Sequence, residues 1–169
     1  WSDAAMFNLV KALELALNDG VCTLTGKQMG AHTGTLKDFA RYEDVIAALN
    51  KQVDFFFERM IRCCEVVERA HAELLPSPFL TSVIDDCMEA GIDVTAGGAH
   101  YNLSGIQAIQ CANVADSLAA LKTLVYDEKI VDRAELHTAL VENFANAELL
   151  RLRMLNKAPK YGNDIEWVD

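Results

Sequence analysis

The sequence predicts a helix-rich α/β fold, and three observations carry that expectation. Ile46, Leu49, Val53, Phe56, Met60, Cys63 and Val67 are spaced alternately three and four residues apart, which is the period of one helical face over roughly 30 residues. Shorter runs of the same period lie on both sides of that stripe. Two glycine-rich stretches interrupt the helices, and the second has room for one or two short strands.

Phe7, Val10, Leu13 and Leu17 open the chain with a first helix. It stops at Asn18, Asp19 and Gly20, because an Asx-Gly pair takes the positive φ that a helix exit needs. Asp3 stands in position to cap this helix. Residues 22–34 hold Gly26, Gly30 and Gly34 among small polar residues and read as a loop. The long helix follows. Arg41 occupies its N-cap position, and Glu43 and Asp44 meet the positive end of the helix dipole. Its apolar stripe puts Cys63 in the core. Pro76 and Pro78 end it.

Residues 76–112 form the second loop-rich stretch, with Gly91, Gly97, Gly98 and Gly105. A strand is expected inside 99–110, on Tyr101 and Leu103 with Ile106 and Ile109. Val114, Leu118, Leu121 and Val125 predict a further helix. Asp132 with Glu135 makes an Asp variant of the capping box ahead of a helix carrying Leu136, Leu140 and Phe144. A last helix is expected over 147–156, before Pro159. No internal repeat is present.

At 169 residues, 51% hydrophobic and 24% charged, the chain has the size and composition of a soluble domain with a packed interior. A net charge of -10 argues against nucleic-acid partners, which need Lys and Arg to neutralise phosphates. Apolar runs such as 45–49 are broken by charge well before the ~20 residues of a membrane span. The five cysteines are an odd set without C-x-x-C spacing. That suits reduced thiols, so the compartment reads as cytoplasmic. The sequence starts at Trp1 without a leader pattern and reads as cut at its N-terminus.

Residues 97–105, G-G-A-H-Y-N-L-S-G, combine a permissive backbone with His100, Tyr101, Asn102 and Ser104. Two readings stand: a loop lining a site, or a tight corner whose polar side chains satisfy nearby backbone. No second titratable group is spaced to pair with His100 or Tyr101, which favours a structural pair. Lys27 lacks the rest of a phosphate-loop motif. Cys63 and Cys64 point about 100° apart on a helix and cannot readily share a metal. His32, His71 and His137 lie on no ligand spacing, so no metal site is expected. The pair Asp85-Asp86 reads as solvated or capping.

A series of blocks resembles the glycyl radical enzymes of the pyruvate formate-lyase-like superfamily. They are W-S-D-A-A-M-F-N-L at 1–9, A-L-N-D-G at 16–20, L-T-G-K-Q-M-G at 24–30, L-P-S-P-F-L at 75–80, D-D-C at 85–87, G-G-A-H-Y-N at 97–102, A-D-S-L-A-A at 115–120 and K-Y-G-N-D at 160–164. The resemblance spans the chain and is nearest the glycerol/diol dehydratase and choline lyase-type branches. It implies that residues 1–169 are an internal segment of a pyruvate formate-lyase (PFL) domain, part of a ten-stranded α/β barrel. The G-C-x-E loop that supplies the thiyl Cys and an acid-base Glu, and the R-V-x-G-Y loop that carries the glycyl radical, are both absent from the sequence. No catalytic residue is therefore assigned, and none of the five cysteines is promoted to the thiyl role.

Diol-acting relatives carry W-H-D where this chain has W-S-D, so the resemblance makes Asp3 a substrate-hydroxyl contact, with Ser2 beside it in place of His. It makes Gly97, Gly98, His100, Tyr101, Asn102 and Ser104 site-lining. Where the diol enzymes resemble Y-N-F-S-G-P-Q-G-V-G, this chain has Y-N-L-S-G-I-Q-A-I-Q. Ile106, Ala108 and Gln110 thus replace a Pro and two Gly, which counts against glycerol as substrate.

The implied parent is an anaerobic radical lyase or dehydratase that breaks a C-O, C-N or C-S bond of a small molecule. Its glycyl radical is installed by a radical SAM iron-sulfur activating enzyme, no cofactor is bound by this chain, and the parent is a homodimer. The alternative is a non-catalytic scaffold or interaction module derived from such an enzyme.

Overall fold

The protein, seen in a computed structural model, is described over residues 4–168. It divides into two compact units: residues 4–7 with Phe57–Ala108, and Asn8–Phe56 with residues 109–168. The fold is helix-rich α/β, with seven α-helices and one two-stranded sheet among the described residues.

In the second unit, α1 spans Leu9–Leu17 and starts two residues later than Phe7. Phe7 instead lies in strand β1, Ala5–Asn8. The cap is Asn8, whose side chain accepts from the Lys11 N–H at 2.9 Å. The expected cap, Asp3, lies outside the described residues. The exit is as the sequence predicts: Asp19 and Gly20 take φ 51° and 77°.

Residues 18–41 fold back as an irregular loop held by two side chains. The Asp19 carboxylate accepts from the Thr33 and Gly34 N–H groups, both at 2.8 Å, and meets His32 Nδ1 at 2.9 Å. Gln52 is wholly buried; it accepts from Ala31 N at 2.9 Å and donates to Ala31 O at 2.7 Å and Thr33 Oγ1 at 3.2 Å. A side chain at position 30 would strike this amide, which explains Gly30.

Helix α2, Tyr42–Leu74, has the expected length and contributes Val45, Ala48 and Leu49 to the core of this unit. Arg41 supplies no cap of its own; Asp44 reaches back to its N–H at 2.8 Å, satisfying one orphan donor of the helix start. Helix α5, Cys111–Ala120, packs on α1 and α7. Beyond Ala120 the periodicity that predicts one helix through Val125 gives a π-helical stretch, Leu121–Asp127. Its wider turn keeps Leu121, Leu124 and Val125 buried. Tyr126 within it donates to Phe39 O at 3.2 Å, and Arg133 donates to the same carbonyl.

Asp132 caps α6, Arg133–Val141, accepting from the Ala134 and Glu135 N–H groups at 2.8 and 3.0 Å. Leu136 is core, whereas Phe144 falls beyond the helix because Asn143 and Phe144 adopt φ 52° and 56°. Helix α7 spans Glu148–Lys157, one residue displaced from expectation.

The first unit holds the end of α2, whose Phe57 stacks on Phe7 at 4.9 Å. Short helices α3, Pro78–Thr81, and α4, Asp85–Ala90, order part of the stretch expected to be loop. A 3-10 turn at Val94–Ala96 packs beside α3. Strand β2, Ile106–Ile109, pairs with β1. The expected strand thus begins later: Tyr101 and Leu103 lie outside it and are exposed. Cys63, expected in the core, is exposed as well. No helix among the described residues is long and apolar enough to cross a membrane.

Candidate functional site

All six site-lining residues expected from sequence lie in the first unit, between the 3-10 turn and β2. Gly97, at φ 89°, ends the turn in the left-handed region that only glycine enters without strain. Gly98 is buried, and a Cβ there would strike the Ile92 carbonyl and reach the Cys87 sulfur at 3.0 Å. The backbone can make this corner only without side chains at 97 and 98.

The corner is fixed by Asp93, which sequence reading passed over. Its carboxylate accepts from Ser77 N, Thr81 Oγ1, Thr95 N and Thr95 Oγ1, at 2.7–3.2 Å. These bonds, the Thr95 N–H first among them, hold the carboxyl down to about 2. The signal available in sequence was Asp93 two residues ahead of Thr95, an Asx-turn pattern. Cys87 beneath the loop is buried, and burial pushes its thiol above the ordinary range, with Asp86 and Asp93 adding to the effect.

From Gly98 the chain emerges at the surface. The His100 N–H donates to Asp86 Oδ2 at 2.8 Å, so Asp86 braces the loop from the first turn of α4. The His100 and Tyr101 rings meet edge to face at 4.8 Å, and Tyr101 is 82% exposed. The Asn102 amide lies over Gly97. Ser104 Oγ donates to the Glu68 carboxylate on α2. Gly105 O accepts from Ala4 N at 2.7 Å, which ties the end of the loop to the residue that follows Asp3 in sequence. Ser2 and Asp3 themselves lie outside the described residues.

The second unit has two further features that sequence reading did not single out. Cys22 is enclosed, with Lys11 Nζ at 3.3 Å from its sulfur and Glu14 at 2.6 Å from the same ammonium. Its thiol is lowered to about 7, chiefly by hydrogen bonds from the Thr25 side chain and backbone, with Lys11 assisting. An open, mostly apolar cleft of about 510 Å³ is lined by Leu13, Leu17, Leu121, Leu136, His137 and Phe144, among others. Neither place contains a residue that the sequence marks as site-lining. Among the described residues no group of three or more His, Cys, Asp or Glu side chains is arranged to hold a metal ion.

Compared with known proteins, the chain matches the pyruvate formate lyase-like family over residues 1–169. It is 38% identical over 170 residues to the (2S)-3-sulfopropanediol dehydratase of Klebsiella oxytoca, covering 100% of this chain and 21% of that protein. Among solved structures, hydroxyproline dehydratase from Clostridioides difficile superposes with a TM-score of 0.91 at 37% identity, over 96% of this chain and 21% of that one. The glycerol dehydratase of Clostridium butyricum gives 0.89 at 35% identity, over 99% of this chain and 21% of that one. The chain therefore spans about a fifth of the length of the relatives it matches. Those relatives are glycyl radical dehydratases and lyases of barrel fold, acting on small molecules. The family match along the whole chain, with blocks and fold in agreement, makes this protein a member of the pyruvate formate lyase-like family of glycyl radical enzymes.

Proposed function

We propose that the chain is an internal segment of the PFL domain of an anaerobic glycyl radical dehydratase or lyase. The parent breaks a C-O, C-N or C-S bond of a small substrate after hydrogen abstraction by a thiyl radical. This chain supplies barrel wall and substrate contacts: Asp3 and Ser2 from the segment preceding β1, and the 97–105 loop. The observation that carries this reading is the bond from Ala4 N to Gly105 O, 2.7 Å. It joins the two stretches from which the expected contacts come.

Chemically, a carboxylate at Asp3 would accept a hydrogen bond from a substrate hydroxyl and assist loss of water. The glycine corner, closed to side chains, gives the loop a fixed backbone against which a small molecule can be positioned. The residues present do not supply the radical itself, since the sequence contains neither the G-C-x-E nor the R-V-x-G-Y loop. The parent takes its radical from a radical SAM activating enzyme, works as a homodimer and resides in the cytoplasm. By itself the chain has no turnover.

The test replaces the matching stretch of full-length hydroxyproline dehydratase with this chain. The chimera is activated anaerobically, its radical read by EPR and its turnover measured on a panel of diols, amino alcohols, sulfonates and hydroxyproline. A glycyl radical signal with turnover of at least one substrate is expected. Asp3→Asn should leave the radical signal intact and lower turnover about 100-fold or more, the usual scale for a positioned acid-base group. An undiminished rate in that variant removes Asp3 from the site, and a folded chimera without turnover on any substrate sinks the reading.

A further inference from the structure

The loop that leaves the glycine corner has Tyr101 and Asn102 at its tip, and both side chains are exposed. A free loop samples many conformations, and holding it in one costs entropy. Two carboxylates from outside the loop, neither of them among the expected site residues, hold it on both sides of that tip. Asp86 Oδ2 accepts from the His100 N–H at 2.8 Å. The Glu68 carboxylate accepts from Ser104 Oγ, across 36 positions of sequence.

Both carboxylates stand on fixed supports. Glu68 is half-buried on the long helix α2. Asp86 lies in the first turn of α4 beside Cys87, which is 1% exposed and whose sulfur closes the space at Gly98. The base of the loop is tied as well, because Gly98 N donates to Asp93 O at 3.0 Å. The His100 ring meets the Tyr101 ring edge to face at 4.8 Å. The bond that fixes the His100 backbone therefore also limits where the Tyr101 ring can go. Side chains borne on helices hold a group more precisely than side chains borne on loops.

We propose that Asp86 and Glu68 are positioning residues, which hold Tyr101 and Asn102 in the place where these meet the substrate. This rests on the proposed function, in which the loop lines the site of a longer enzyme. Asp86 acts through a backbone N–H and Glu68 through the Ser104 hydroxyl, each as a hydrogen-bond acceptor and not through its charge. An amide at either position keeps an oxygen that accepts the same bond, whereas Ala removes it.

The test uses the activated hydroxyproline dehydratase chimera. Asp86→Ala and Glu68→Ala should each retain the radical signal and lower kcat/KM about tenfold or more, on the scale that small misplacements of reacting groups cost. Asp86→Asn and Glu68→Gln should stay within about threefold of the unsubstituted chimera, because the acceptor is kept. In a Ser104→Ala background, Glu68→Ala should cost nothing further, since the one bond is already gone. Unchanged kcat/KM in both Ala variants overturns the proposal. So does an equal loss in the Ala and amide variants, which assigns the effect to charge.

Hydrogen exchange on the isolated chain gives a second measurement that needs no turnover. Amides of residues 99–104 should exchange at least about tenfold faster in each Ala variant, and at the original rate in the amide variants. Exchange indifferent to all four substitutions overturns the proposal. The two readings fail separately. Faster exchange in the Ala variants, with a chimera that turns over no substrate, sinks the function and keeps the hold on the loop. A chimera whose turnover is indifferent to both Ala variants does the reverse.

Discussion

Gln52 is a fully buried amide that satisfies both backbone groups of Ala31, twenty-one positions away, and sits where a side chain on Gly30 would have to go. Replacing it with Ala leaves the half-buried N–H and C=O of Ala31 without their partners and opens a void. The expected loss is about 2–4 kcal/mol, read as a drop in the urea midpoint. Gln52→Leu should not restore it, because Leu refills the volume and leaves the same groups unpaired. His137 is the opposite case. Its ring is 9% exposed, and neither nitrogen has a hydrogen-bond partner. Burial, with Lys37 adding and Asp38 opposing, holds its pKa below the ordinary 6.5. The unfolded chain then binds the proton more readily, so stability is full above pH 6.5 and falls as pH drops through 6.5 toward the folded value. His137→Leu should flatten that slope and be the more stable protein at about pH 5. Urea titrations of both proteins across pH test this, and parallel curves would remove His137 as the cause.

Elements whose signals are local were legible in the sequence. The Asp132 cap, the Asn18-Asp19-Gly20 exit and the end of α2 before Pro76 all lie where nearby residues dictate φ or supply a hydrogen-bonding side chain. Strand β1 was not legible, because it exists through pairing with Ile106–Ile109, about a hundred positions away, and Phe7 continues the period of α1 closely enough to read as its first turn. The π stretch was hidden for a related reason: Leu118, Leu121 and Val125 keep an α-like spacing while the backbone widens around them. At the candidate site the glycine corner was visible as Gly97-Gly98, but its brace, Asp93, resembled any acidic loop residue until Ser77, Thr81 and Thr95 converged on it. Because α1 begins at Leu9 with Asn8 as its cap, Asn8→Ala should cost about 1 kcal/mol, whereas the same change one residue earlier or later would act through packing. The urea midpoint of the variant, with Asn8→Asp as a capping-competent control, checks the assignment. An unchanged Asn8→Ala protein would place the helix start elsewhere.

At the scale of the molecule, the two units differ in what holds them. The second has a core drawn from α1, the 18–41 loop, α2, α5, the π stretch and α6, including Leu15, Leu36, Val45, Leu124 and Leu136 at or near zero exposure. The first relies on polar braces, Asp93 and Glu68 among them, around little buried apolar area. Burial of apolar surface is the main favourable term in folding, and local opening is governed by how much of it a region holds. Helix α2 runs through both units, so it contains the comparison within one hydrogen-bonded element. Amides near Val45–Gln52 should exchange with solvent only through opening of the second unit. Those of residues 63–74 should exchange faster by at least about tenfold, since little packing resists their local unwinding. Hydrogen exchange by mass spectrometry on the isolated chain reads both ends of the helix in one experiment. Uniform protection along α2 would mean that the half from Cys63 onward is already buried in the isolated protein, by self-association or by a rearrangement of the first unit.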